Sequence, residues 1–146
     1  MLGNGVHTIA RLRPLAALFL VLAAACSGKD TTAATSVSIV GVWTLQTVNG
    51  APLPYLMDQA GADKSEMTGD VLTFLASGQF TEIAQVRVTS GGQVTTQTVP
   101  QAGTFTASKG SIAMTFAGSS TQAQGSQAGS SLTLALNGLT LVYKKQ

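Results

Sequence analysis

Short turn signals punctuate this chain from residue 49 onward, and their spacing most constrains what it can fold into. Asn49-Gly50, Ser77-Gly78, Ser90-Gly91-Gly92, Lys109-Gly110, Gly118-Ser119 and Asn137-Gly138 recur about every ten residues. Between them the chain is rich in Thr, Val, Ser and Gln, and no stretch carries a long apolar stripe of helical period. The turns also fix a register that can be checked. With Asn137-Gly138 as a two-residue loop, Leu136 faces Leu139, Leu134 faces Leu141 and Leu132 faces Tyr143. With Lys109-Gly110 as another, Ala107 meets Ile112, Phe105 meets Met114 and Gly103 meets Phe116. A three-residue loop, Ala76-Ser77-Gly78, pairs Phe74 with Phe80, and the face of Phe80 continues through Ala84, Val86 and Val88. Ser90-Gly91-Gly92 as a three-residue loop would then set Val88 opposite Val94. Consecutive hairpins sharing one apolar face make a meander, and closing a meander removes its exposed edges. The expected fold is all-β: a small antiparallel up-and-down barrel of about eight to nine strands spanning residues 39–146.

The first strand of that domain reads GVWTLQTVNGAPLP. Gly41-Val42-Trp43 resembles the Gly-x-Trp opening of lipocalins and related calycin barrels, and the whole stretch resembles small lipocalin-like bacterial lipoproteins. The resemblance implies that Trp43 closes the barrel floor beneath a cation from the last strand. Lys144 and Lys145 stand there in place of the arginine of lipocalins, so the cation–π contact would be a lysine version. A plain core role for Trp43 is the competing expectation.

The other end of the chain bears on location. Arg11 and Arg13 precede Pro14, and an uncharged apolar run of eleven residues, 15–25, ends in small side chains. That is the pattern of a secretory signal, and it is shorter than the ~20 residues a membrane helix needs. The only cysteine, Cys26, follows at once in LAAACSGKD. Here the chain resembles the lipobox of bacterial lipoproteins, with Leu22 one place further from the cysteine than usual. The resemblance implies a signal peptide over 1–25, a diacylglycerol thioether and palmitate-class acylation at Cys26, and, with Ser27 next, an outer-membrane destination in a diderm cell. Two or more acyl chains suffice for stable anchoring. A free thiol beside an ordinary cleavage site is the alternative. Residues 27–38, SGKDTTAATSVS, read as a flexible tether.

Removing 1–25 takes Arg11, Arg13 and His7 with it and leaves six Lys/Arg against six Asp/Glu. No basic patch remains for phosphates, so nucleic acid is not expected as a partner. Without histidine, no serine has its usual base, and residues 117–131 lack the Lys-Ser/Thr ending of a phosphate loop. No paired carboxylates are expected beside a cleft. The domain reads as a non-enzyme without cofactor, a monomer tethered to the membrane through Cys26.

Two acidic features remain. Asp58, Asp63, Glu66 and Asp70 crowd one segment with Lys64 among them. The spacing fits no calcium loop, so a solvated loop near the barrel mouth is expected, with short helical character around Tyr55–Ala60 as an option. Glu82 is different, because alternation puts it on the inner face with Phe80 and Ala84. An inward carboxylate is costly unless paired and would mark a ligand contact. A bulge turning it outward, or a place at the open barrel end, is the preferred expectation. The candidate contacts for a small, largely apolar ligand are Trp43, Phe74, Phe80, Glu82, Phe105, Met114, Phe116 and Tyr143. Because an eight-stranded barrel can be filled by its own side chains, a solid domain serving envelope structure or protein interaction is the alternative function. Residues 117–131 are expected to form a polar hairpin or a loop.

Overall fold

The structure is a computed structural model that describes residues 38–146; the signal, Cys26 and all but the last residue of the tether lie outside the described residues. Ten strands follow in chain order: β1 (Gly41–Val48), β2 (Ala51–Pro52), β3 (Tyr55–Ala60), β4 (Asp63–Phe74), β5 (Gln79–Ser90), β6 (Gln93–Ser108), β7 (Ser111–Phe116), β8 (Gln122–Ala128), β9 (Ser131–Leu136) and β10 (Leu139–Lys145). Strands β4 to β10 form the expected meander, and β1 closes it by pairing with β10 on one side and β4 on the other. The result is a closed antiparallel barrel of eight strands, with β2 and β3 as additions and no helix among the described residues.

The turn chemistry decides the register. Asn137, Gly138, Lys109 and Gly110 all take positive φ, as primed two-residue turns require. Leu136↔Leu139, Leu134↔Leu141 and Leu132↔Tyr143 pair as expected, and so do Phe105↔Met114 and Phe74↔Phe80. One hairpin differs. Gly91 and Gly92, both at positive φ, make a two-residue turn, so Ser90 pairs with Gln93 and Val88 faces Thr95 rather than Val94. Two adjacent glycines satisfy the primed turn without recruiting Ser90. Val94 is thereby sent to the other face, where it is among the most exposed apolar side chains.

The acidic segment, expected as a loop, is a pair of strands, and of the hairpin or loop expected over 117–131 the structure has the hairpin. The acidic segment is the β3–β4 hairpin, which rules out both a solvated loop and helical character at Tyr55–Ala60. Its four acids are scattered rather than gathered. Asp63 accepts from the Ser90 hydroxyl and the Gly91 N–H, and Glu66 pairs with Lys64 (3.2 Å) and Arg87 (3.0 Å). Within 117–131, β8 is a full barrel strand between β7 and β9.

The core divides into a plug and a mouth. The start of β1 marks the closed end, where Trp43 is fully buried and its indole N–H donates to the Ile39 carbonyl (2.7 Å). Lys145 lies 5.5 Å from the Trp43 ring and also donates to the Ser38 carbonyl, a lysine cation–π contact at the expected place. Phe74 meets Phe105 edge-on (4.8 Å), and Phe80 meets Phe116 likewise (5.2 Å). Met114, Ile112, Leu132 and Leu134 fill the remainder. At the opposite end, β4, β5 and β6 run past the barrel with β3 as an extended ribbon.

Candidate functional site

The mouth lies between the ribbon strands and the β9–β10 turn. A cavity of about 230 Å3 opens there, walled by Met67, Ala84, Val86, Val99, Leu139 and Leu141, with the amides of Gln101 and Asn137 at its edge. Asp70 and Glu82 also line it. They are 2% and 6% exposed, so these carboxyls belong to the interior. A wider depression of about 540 Å3 on the wall formed by β6, β7 and β8 carries no ionisable side chain among the described residues.

The strand register explains how two acids come to share the floor. Leu72 stands directly opposite Glu82, and Asp70 stands opposite Ala84. Asp70 and Glu82 are therefore diagonal neighbours on the inner face, within reach across a small alanine. A bulge is present, as anticipated, but on the partner strand: the register shifts between Met67 and Gly69, where the Thr68 hydroxyl donates to the Gln85 carbonyl (3.1 Å). It puts Met67 and Asp70 on one face and leaves Glu66 on the other. The expectation that a bulge turns Glu82 outward is thus corrected, since the strand from Phe80 to Ala84 pairs regularly with β4 and keeps Glu82 inside. The expectation of no paired carboxylates beside a cleft is corrected with it.

Tyr143, from β10, completes the group. Its phenol donates to Asp70 Oδ2 at 2.6 Å, a short charge-assisted bond. Asp70 Oδ1 and Glu82 Oε2 are buried and have no donor. Burial pushes the Asp70 carboxyl up, partly offset by hydrogen bonds from Tyr143, Glu82 and the Val71 backbone. Burial, followed by the charge of Asp70 beside it, pushes Glu82 up to about 8. Burial also raises Tyr143, with the Asp70 charge adding to it, so the phenol stays a donor. Both carboxyls are thus pushed toward the protonated form, and at neutral pH Glu82, raised to about 8, carries a proton that it shares with Asp70.

Of the eight residues named from the sequence as ligand contacts, only Glu82 lines the mouth cavity. Trp43, Phe74, Phe80, Met114 and Phe116 pack against one another in the plug, with Phe105 half-buried beside them. Tyr143 reaches the site through Asp70. Asp70 itself was missed, although a signal existed. Counting back from Phe74 in steps of two gives Leu72 and Asp70 on the face that Phe74 shares with Phe80.

No protein-family model and no curated protein matches this chain. A solved structure of an uncharacterized protein from Bacteroides eggerthii DSM 20697 resembles it at a TM-score of 0.42 and 11% identity, covering 73% of this chain and 98% of its own.

Proposed function

We propose that this protein is a lipid-anchored, non-catalytic domain of the bacterial cell envelope whose barrel mouth holds one small, largely apolar molecule. The observation that carries the reading is the mouth cavity: apolar walls, two polar amides at the edge and a polar floor, the usual make-up of a ligand site. Its volume lies below the ~300 Å3 at which ligand pockets usually begin, so the occupant is small. A carboxyl pair sharing a proton can serve acid–base chemistry. Binding is the better reading here because, among the described residues, no cationic side chain lines the cavity to stabilise a developing negative charge. A small ligand is expected to appear in native mass spectra of protein extracted from membranes, as one non-covalent adduct per chain. Absence of an adduct, together with no binding of a neutral probe such as 1-hexanol, would overturn the reading.

The second reading, a solid interaction domain, is favoured by the filled plug and by the apolar side chains exposed on the ribbon: Leu56, Met57 and Val94. It predicts the same spectra without the adduct.

Anchoring rests on the lipobox-like LAAACSGKD. Cys26→Ser is expected to give an exported product that leaves the membrane pellet for the soluble fraction. Retention in the pellet would contradict a lipid at Cys26.

A further inference from the structure

A buried acid pair beneath an apolar cavity has a stricter chemistry than apolar binding alone requires. Among the described residues no lysine or arginine lines the mouth; the groups facing the pair are Tyr143 from β10, already donating to Asp70, and the neutral amides Gln101 and Asn137. Asp70 and Glu82 are each more than nine-tenths buried, both line the cavity, and each keeps one oxygen without a donor. Buried carboxylate oxygens without donors are costly, and among the described residues no cation lines the cavity beside them.

We propose that the mouth takes a small primary amine, its ammonium head donating to Asp70 and Glu82 and its apolar body lying against Met67, Val86, Val99 and Leu139. The proposal rests on the reading of the cavity as a ligand site. An ammonium has three donors, enough to satisfy both orphaned oxygens, and one positive charge that takes the place of the shared proton's. In the empty protein a shared proton does part of this work. Binding at neutral pH therefore exchanges one ion for another: the ammonium enters, and the proton held between the carboxyls leaves to buffer. A carboxylate ligand would meet like charge and is excluded; an alcohol of equal length gains only the walls.

The test uses calorimetry on the mature full-length protein in nanodiscs, with empty nanodiscs as reference and hexylammonium, 1-hexanol and hexanoate as probes. Hexylammonium is expected to bind about 10-fold or more tightly than hexanol at pH 8, as charge-assisted bonds imply, and hexanoate not to bind. Its enthalpy should vary with buffer ionisation, reporting a released proton. Its affinity should fall by about tenfold per pH unit below the point near 8 where Glu82 deprotonates. In Glu82→Gln and in Asp70→Asn the preference for ammonium over hexanol should drop toward one, with thermal melts confirming that each variant folds. Equal affinity of hexanol and hexylammonium, or a flat pH profile, would overturn the amine proposal while leaving the cavity reading intact. If no probe binds, both fail.

Discussion

Gly125→Ala is expected to cost about 3 kcal/mol or more and to lower the melting temperature by more than ~10 °C. Gly125 sits in the middle of β8, paired with Ile112 on one side and Leu134 on the other. A Cβ there would stand 1.9 Å from the Thr133 carbonyl oxygen and 2.9 Å from the Leu134 Cα. Both are backbone atoms of the next strand, so no side-chain rotation relieves the overlap and the barrel wall itself must open. Gly103, on β6, is the same kind of position: its Cβ would meet the Thr115 carbonyl at 2.1 Å, and the Phe80 ring already occupies the space. Glycines of this kind let a small barrel bend sharply while an aromatic neighbour covers the gap. Gly69→Ala is the control. It lies in β4 beside the bulge, where a Cβ would meet nothing nearer than Gln85 Oε1 at 3.7 Å, and a change within about 1 kcal/mol is expected. Denaturant melts of Gly125→Ala and Gly69→Ala decide the matter. Equal losses for Gly69→Ala and Gly125→Ala would show that close approach is not what Gly125 provides.

The same glycines show what sequence could and could not reveal. Turn glycines are legible because positive φ is a local demand: Asn137-Gly138 and Lys109-Gly110 announced their hairpins, and the alternation on either side confirmed the register. Gly125 answers a non-local demand. It needs to be glycine because β9 passes close by, and that neighbour is known only once the barrel is closed. Surrounded by Ser and Gln, it reads as part of a polar hairpin or a loop, with nothing to mark it as a point of close approach.

The acids follow a similar division. Glu82 was legible because it interrupts an apolar face that runs forward from a well-marked turn. Asp70 was hidden in composition: three other acids and a lysine close by suggested a solvated segment, and a bulge at Thr68 breaks the alternation between Met67 and Asp70. Partnership between the two rests on diagonal contact across Ala84, which requires knowing that β4 and β5 pair with Leu72 opposite Glu82. The aromatic residues were placed on the correct face, but a face does not say whether its side chains line a void or fill it. That depends on barrel volume, which the glycines and the stagger of the strands set together.

The buried pair also makes the stability of the domain depend on pH with an unusual sign. Glu82 holds its proton up to about 8 when folded, against an ordinary value of 4.5 in the unfolded chain. Between those values the folded state binds more protons than the unfolded state, so stability falls as pH rises. Asp70 is also raised and acts in the same direction. Glu66 is desolvated, but Lys64 and Arg87 outweigh that and hold it low, so its own contribution is lost only at more acid pH, outside this window. Chemical denaturation at fixed salt should therefore show a loss of about 2–4 kcal/mol between pH 5 and pH 8.5. Most domains with paired surface carboxylates show the opposite trend on the acid side. Glu82→Gln separates this cause from the rest of the molecule. A glutamine amide keeps a donor for Asp70 and cannot ionise, so the variant should match the parent near pH 4.5 and exceed it by about 1–3 kcal/mol at pH 8.5. A parent profile that is flat from pH 5 to 8.5, or a variant that keeps the parent's slope, would mean that Glu82 is already ionised in the folded protein and that something else compensates its charge.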